Sequence, residues 1–241
     1  GIRAMVEHNA TFYADLADPV ALLKASARPT QLERYWAYSG DDQAAGLQPS
    51  QVSAYSELMA ESQRMVAEEV LAVYPVHKHR LLLDVGGGEG AFVHAAAAAA
   101  PQLNISVFDL PAVAERACLR MEQLGLSARF KAHGGNFFAD SLPSGADLVT
   151  LVRVLHDHDD AEASQLLANI HRSMSPGQTL LIAEPMAGIS QSRAVGDAYF
   201  AFYLLARGRG RARTPAEIQS MLEAAGFSQV RAIATNQPVI T

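Results

Sequence analysis

The sequence predicts an α/β fold: a seven-stranded, mostly parallel sheet with helices on both faces, preceded by a helical segment. Three observations predict it. Residues 1 to about 75 show helical spacing and lack glycine-rich turns. From Arg80 onward, short apolar runs alternate with longer amphipathic stretches, the pattern of successive βαβ units. Four glycines within five residues, Gly86, Gly87, Gly88 and Gly90, join the first apolar run to the helix after it.

The elements follow in order. Thr30 to Trp36 reads as a short helix with a polar start, and Gly40 to Pro49 as a loop. Gln51 to Val73 reads as one helix, with Tyr55, Leu58, Met59, Met65, Val66 and Val70 near helical spacing. Leu81 to Val85 is a strand and Glu89 to Ala100 an alanine-rich helix. Asn104 to Phe108 is a strand, and Pro111 to Leu124 a helix closed by Gly125. Ala128 to Ala132 and Asp147 to Val152 are strands. Asp159 to Met174 is a helix and Gln178 to Ala183 a strand. Arg193 to Leu205 and Pro215 to Ala225 are helices, the second with Thr214 as N-cap and Pro215 at the first helical position. Phe227 to Ala234 and Pro238 to Thr241 complete the seven strands. Right-handed crossovers in such a sheet place ligands at the carboxyl ends of the strands.

Composition narrows the function classes. The chain has 241 residues, 49% of them hydrophobic and 18% charged, which suits a packed α/β domain with a small helical extension rather than a disordered chain. A formal net charge of −6 argues against nucleic acid as the main partner. The single cysteine, Cys118, rules out an internal disulfide framework and a cysteine-based zinc site, and fits a reducing cytoplasm. No apolar run approaches the roughly 20 residues that span a bilayer.

The segment Asp84-Val85-Gly86-Gly87-Gly88-Glu89-Gly90 follows a strand and opens a helix. Glycine allows the sharp turn and close approach of a ligand, and the helix amino terminus offers unpaired N–H groups to a carboxylate or phosphate. Ala91 stands where a dinucleotide fingerprint has its last small residue, so a nicotinamide cofactor stays open on glycines alone. Glu89 is unfavourable beside a pyrophosphate and harmless beside an ammonium or sulfonium. Asp109, about 20 residues on at the end of the second strand, suits the two ribose hydroxyls of either cofactor.

Together these motifs resemble the small-molecule O-methyltransferase family of plants and bacteria. The matching pieces are Leu83-Asp84-Val85-Gly86-Gly87-Gly88-Glu89-Gly90, Phe108-Asp109-Leu110-Pro111, Gly135-Asn136-Phe137-Phe138, Arg153-Val154-Leu155-His156-Asp157-His158-Asp159-Asp160, Ala183-Glu184-Pro185 and Arg213-Thr214-Pro215-Ala216-Glu217. They cover about residue 80 to the end. The resemblance implies a class I, Rossmann-like methyltransferase fold with S-adenosylmethionine as cofactor, S-adenosylhomocysteine as product, and no metal. It also implies that Asp84, Gly86, Gly88, Glu89 and Gly90 hold the methionine part, Asp109 with Leu110 the ribose, and Asn136 with Phe137 the adenine. Arg153 joins this set. The family has Asp-Met where this chain has Asn136-Phe137; an amide still hydrogen-bonds and a phenyl ring still stacks.

The resemblance makes His156 the catalytic base, oriented by Glu184. Chemistry points the same way, because a neutral imidazole at the carboxyl edge of a strand can take the proton of an attacking hydroxyl. The family's second orienting acid falls on Ala212. Asp157 is either its substitute or a helix cap. The run His156 to Asp160 is rich in metal ligands, but Asp159 and Asp160 read better as acids at a helix start. His77 and His79 read as solvated.

Within the family the chain is most similar to bacterial carotenoid O-methyltransferases. His158, the segment Ala206 to Thr214 and the opening Asp15-Leu16-Ala17-Asp18-Pro19-Val20 carry this. The implied acceptor is the tertiary hydroxyl of an acyclic carotenoid; a phenolic or polyketide acceptor is the alternative, and a non-catalytic binding module a further one. Arg207, Arg209, Arg211 and Arg213 then either meet anionic lipid headgroups, giving a cytoplasmic enzyme peripheral to the inner face of a membrane, or form a solvated basic loop. The resemblance divides the chain into a helical segment, 1–75, that walls the substrate pocket and links to a dimerisation domain, and a catalytic domain, 76–241. A homodimer is implied where that amino-terminal domain is present.

Overall fold

A computed structural model describes residues 2–24, 29–36, 63–190 and 192–236. Five parallel strands, β1 Leu81–Val85, β2 Asn104–Asp109, β3 Phe130–Gly134, β4 Leu148–Val152 and β5 Thr179–Ala183, lie in the order β3-β2-β1-β4-β5. Around them run α1 Ile2–Leu16, α2 Pro19–Leu23, α3 Gln31–Trp36, α4 at residues 63–73, α5 Ala91–Ala99, α6 Pro111–Gln123, α7 Asp160–Ser173, α8 Phe200–Arg207 and α9 Pro215–Ala224. The chain winds outward from β1 to β3, then returns to β4 on the other side of β1. That reversal opens a crevice above the carboxyl ends of β1 and β4.

Side-chain alternation explains why the central strands read as unbroken apolar runs. Leu82, Leu148 and Val152 pack with Val70, Phe92 and Met121 of α4, α5 and α6. Leu83, Val85, Val149 and Leu151 pack with Leu166, Leu167, Ile170, Ile218 and Leu222 of α7 and α9. Both faces are covered, so neither needs polar residues. Asp84 and Thr150 are the exceptions. They are register partners across β1 and β4, and Thr150 Oγ1 donates to Asp84 Oδ1 at 2.6 Å.

The short helices α1 to α3 form a second packing unit with α8, through Phe12, Leu22, Leu32 and Ala206 and the rings of Tyr199, Phe202 and Tyr203. Thr30 and Thr214 each start a helix with a reciprocal cap. Thr30 Oγ1 accepts from Glu33 N–H at 2.9 Å while Glu33 accepts from Thr30 N–H at 3.3 Å. The Thr214–Glu217 pair repeats the device at 3.2 and 2.8 Å. Among the described residues no helix is long and apolar enough to cross a membrane.

Three sequence expectations are corrected. Phe227 to Ala234 is not a strand, so the described sheet has five strands rather than seven. Its apolar residues pack by side chain alone, Phe227 and Val230 on one face and Ile233 on the other, without joining the β5 ladder. The helix predicted over Arg193 to Leu205 is π-helical at Ala194–Tyr199 before α8 begins. Gly196 lies against the Met186 carbonyl in that wide turn, where any Cβ would collide. His79 is not solvated: its Nε2 lies 2.9 Å from Tyr74 Oη, and its Nδ1 3.4 Å from Asp147 Oδ2. The predicted strand Pro238 to Thr241, the loop Gly40 to Pro49 and the first half of the Gln51 to Val73 helix lie outside the described residues.

Candidate active site

The glycine turn leaves β1 over a buried carboxylate. Asp84 is 1% exposed, and burial, only partly offset by the Thr150 hydroxyl, pushes its pKa up to about 7. Its side chain lies directly beneath Gly87, where a Cβ would stand 2.7 Å from Asp84 Oδ2. Asp84 therefore props the turn from below. Gly88 and Gly90 have φ of +57° and +80°. A Cβ on Gly90 would meet Met121 Cε at 2.8 Å, whereas one on Gly88 would meet no protein atom within 4 Å. Gly90 thus serves packing. Gly88 leaves its backbone open to a ligand at the start of α5.

Asp109, at the end of β2, fastens the turn. Its Oδ2 accepts from Gly88 N–H at 2.8 Å and its Oδ1 from Leu110 N–H at 2.7 Å. Burial raises its pKa against these two bonds. Each oxygen keeps a second lone pair for a ligand hydroxyl. Leu110 is 40% exposed just beyond it. Glu89 accepts from Arg116 Nε of α6 at 3.1 Å. Asn136 Oδ1 accepts from Phe138 N–H at 2.9 Å. The Phe137 ring reaches the turn, with Cε1 3.6 Å from a Cβ built on Gly86.

The connection after β4 carries His156. Arg153 sits at φ +59°, a conformation disfavoured for a residue with a side chain. Its N–H donates to Ala183 O at 2.8 Å, which bends the chain across the end of β5. The carboxylate of Glu184, 2% exposed, then collects the turn. Oε1 accepts from Val154 and Leu155 N–H at 2.8 and 2.7 Å, and Oε2 lies 2.6 Å from His156 Nδ1. Nδ1–H is thereby the donor, leaving Nε2 to meet another group. Asp157 Oδ1 stands 3.1 Å from Nε2 and accepts from Arg207. Asp157 is therefore no helix cap.

The arginine segment holds the same turn by its carbonyls. Arg213 is 2% exposed and donates to Leu155 O and His158 O, both at 2.8 Å, as well as to Asp160. Arg209 donates to Asp157 O at 3.3 Å. Arg211 bridges Asp160 and Glu217. Gly210 N–H donates to Asp159 Oδ1 at 3.0 Å. Arg207 and Arg213 are buried, whereas Arg209 and Arg211 keep part of their side chains exposed; all four have protein partners. Asp159 and Asp160 stand at the start of α7 as N-cap and first helical residue, and also accept from that segment. The five ligand-rich residues do not converge, since His158 turns to Glu162 and Arg209.

An aromatic wall lies beside His156. Phe200 lies 6.5 Å from the His156 ring, and Tyr199, Tyr203 and Phe12 continue the wall onto α1. His8 Nε2 lies 2.8 Å from Tyr203 Oη, and burial with the nearby Arg153 charge lowers its pKa to about 4. A cleft of about 550 Å³ lies on the opposite side of α8, lined by Ala201, Leu204, Leu205, Gly210 and Ala212. Thr150, Arg207 and His8 were not assigned these positions from sequence, because strand register and helix packing alone bring them here.

The comparisons with known proteins agree with this geometry. Residues 13–228 match the model of the O-methyltransferase domain family. The chain belongs to that family. It is 43% identical over its whole length to a demethylspheroidene O-methyltransferase of Cereibacter sphaeroides and 42% identical to that of Rhodobacter capsulatus, and it spans 63% and 59% of their lengths. Human N-acetylserotonin methyltransferase, solved with S-adenosylmethionine, superposes with a TM-score of 0.75 at 26% identity, over 95% of this chain and 64% of that one. The O-methyltransferase domain thus has the class I methyltransferase fold.

Proposed function

We propose that the chain is the catalytic part of an S-adenosylmethionine-dependent O-methyltransferase acting on a hydroxylated acyclic carotenoid, with His156 as general base. The observation that carries this is the placement of the Glu184–His156 pair at the switch point of the sheet, beside the Gly88–Asp109 turn. The two demethylspheroidene O-methyltransferases support the acceptor class.

The residues fit the cofactor. The open backbone at Gly88 and the start of α5 suit the methionine carboxylate, the Asp109 oxygens with Leu110 the ribose, and Phe137 with Asn136 the adenine. When bound, the cofactor supplies an electrophilic methyl on a sulfonium. Glu184 fixes the Nδ1–H tautomer, so Nε2 takes the proton of the acceptor hydroxyl as its oxygen attacks. Glu184 and Asp157 then stabilise the resulting imidazolium, as the carboxylate of a hydrolase triad does. The aromatic wall and half-buried α8 keep water from the reacting oxygen and offer apolar surface to a hydrophobic acceptor.

The test is methyl transfer to demethylspheroidene by the chain and by His156→Ala. Loss of turnover by about 10²–10⁴-fold with unchanged S-adenosylhomocysteine affinity is expected; near-normal turnover would remove His156 from the mechanism. A naphthol run in parallel decides against the carotenoid if it alone is methylated.

A further inference from the structure

Asp157 is shared between two groups. Its Oδ1 lies 3.1 Å from His156 Nε2 and also accepts from Arg207 Nη1. Nε2 is the nitrogen that must meet the acceptor, because Nδ1 is committed to Glu184. A carboxylate resting on Nε2 opposes the reaction in two ways. It fills the place of the acceptor hydroxyl, and it favours a ring that already carries both protons.

We propose that Arg207 is a positioning residue for the base, drawing the Asp157 carboxylate off His156 Nε2 as the acceptor enters so that the neutral ring faces the acceptor hydroxyl. The inference rests on His156 being the base. Arg207 is the last residue of α8 and its side chain is 6% exposed. A cation is favoured at a helix carboxyl end, and a buried guanidinium requires a carboxylate partner. Asp157 therefore keeps an ion-pair partner when it leaves Nε2. Burial pushes its carboxyl up, but the charges of His156, Arg207, His158 and Arg153 outweigh this and hold it below its usual range, so it stays an anion.

The same helix links acceptor to latch. Phe200, the first residue of α8, faces the His156 ring, and Arg207 ends that helix. An acceptor seated against Phe200 touches the element that bears Arg207. The charged and titratable groups around the ring are Glu184 after β5, Arg153, Asp157 and His158 in the β4–α7 connection, Arg207 on α8, and Arg209 and Arg213 in the segment after it. The proton passes from the acceptor oxygen to Nε2, after which Asp157 can return to the imidazolium.

The experiment follows the His156 imidazole nitrogens by NMR across pH, together with kcat/KM for demethylspheroidene, in the parent chain, Arg207→Gln, Arg207→Lys and Arg207→Gln/Asp157→Asn. Arg207→Gln is expected to raise both midpoints by about one unit, costing about tenfold in kcat/KM below the midpoint and little above it. Lysine restores most of the shift, and Asp157→Asn in the glutamine background brings the midpoint to or below the parent's. A folded Arg207→Gln with an unmoved or lowered imidazole midpoint overturns the proposal. If Arg207→Gln does not fold, Asp157→Asn alone decides: a lower midpoint supports the proposal and an unmoved one overturns it. Undiminished turnover in His156→Ala would instead overturn the base assignment. Loss of turnover there with no midpoint shift in the Arg207 variants overturns the latch alone.

Discussion

Glu184 and His156 meet at 2.6 Å, with both side chains buried, and the same carboxylate holds the backbone N–H groups of Val154 and Leu155. One residue thus builds the turn and orients the ring upon it. Glu184→Gln separates these roles. The amide oxygen can still accept from the backbone, while its NH2 faces Nδ1 and favours the wrong tautomer. Turnover should fall by about 10²–10⁴-fold with cofactor affinity preserved. Glu184→Ala should also cost about 3–5 kcal/mol of stability, measured by denaturant unfolding.

Gly88 and Gly90 should separate binding from packing. Gly88→Ala adds a methyl that meets no protein atom within 4 Å, so its stability cost is backbone strain of about 1–2 kcal/mol. S-adenosylhomocysteine affinity, measured by calorimetry, should nevertheless fall about tenfold or more, equivalent to about 1.4 kcal/mol. Gly90→Ala collides with Met121 and Val93 at a φ of +80° and should cost about 2–4 kcal/mol in stability.

Asp84 should give the fold a particular pH dependence. Burial raises its pKa from 3.8 to about 7. Between about pH 4 and 7 the folded chain keeps a proton that the unfolded chain has lost, so Asp84 makes stability fall as pH rises through that window. Asp84→Asn removes this term. The variant should gain on the parent as pH rises from about 4 to 7, by on the order of 4 kcal/mol in all. Paired unfolding curves at several pH values read the difference, and a constant gap would contradict it.

Arg213 should matter to stability before it matters to chemistry. Arg213→Met strands two buried carbonyls, Leu155 O and His158 O. A loss of about 2–4 kcal/mol is expected. Arg213→Lys recovers only part of it, because an ammonium lacks the planar fork that reaches both carbonyls. Thermal melts and turnover of the surviving folded fraction check this.

The strands β1 to β5, the glycine turn, Asp109 and the pairing of His156 with Glu184 were all legible in the sequence. Apolar runs, turn residues and motif order are local signals, and a doubly covered parallel sheet writes them plainly. The carboxyl-terminal stretch misled because Phe227, Val230 and Ile233 carry strand-like spacing that side-chain packing satisfies without a ladder. The Glu89–Arg116 pair left no local signal, because the two residues lie 27 positions apart on different elements.

The sequence by itself determined the fold class, the family and the place of the glycine turn. Only the tertiary structure decided what surrounds His156. Whether Asp157 caps a helix or faces Nε2, and which carboxylates and carbonyls Arg207, Arg209, Arg211 and Arg213 meet, depends on how α8 and the segment after it pack against the β4–α7 connection. Those residues lie some 50 positions apart in the chain. Charge pairing at that separation leaves no periodic or local trace, because it is fixed by the burial of ions that must find partners once the helices have docked.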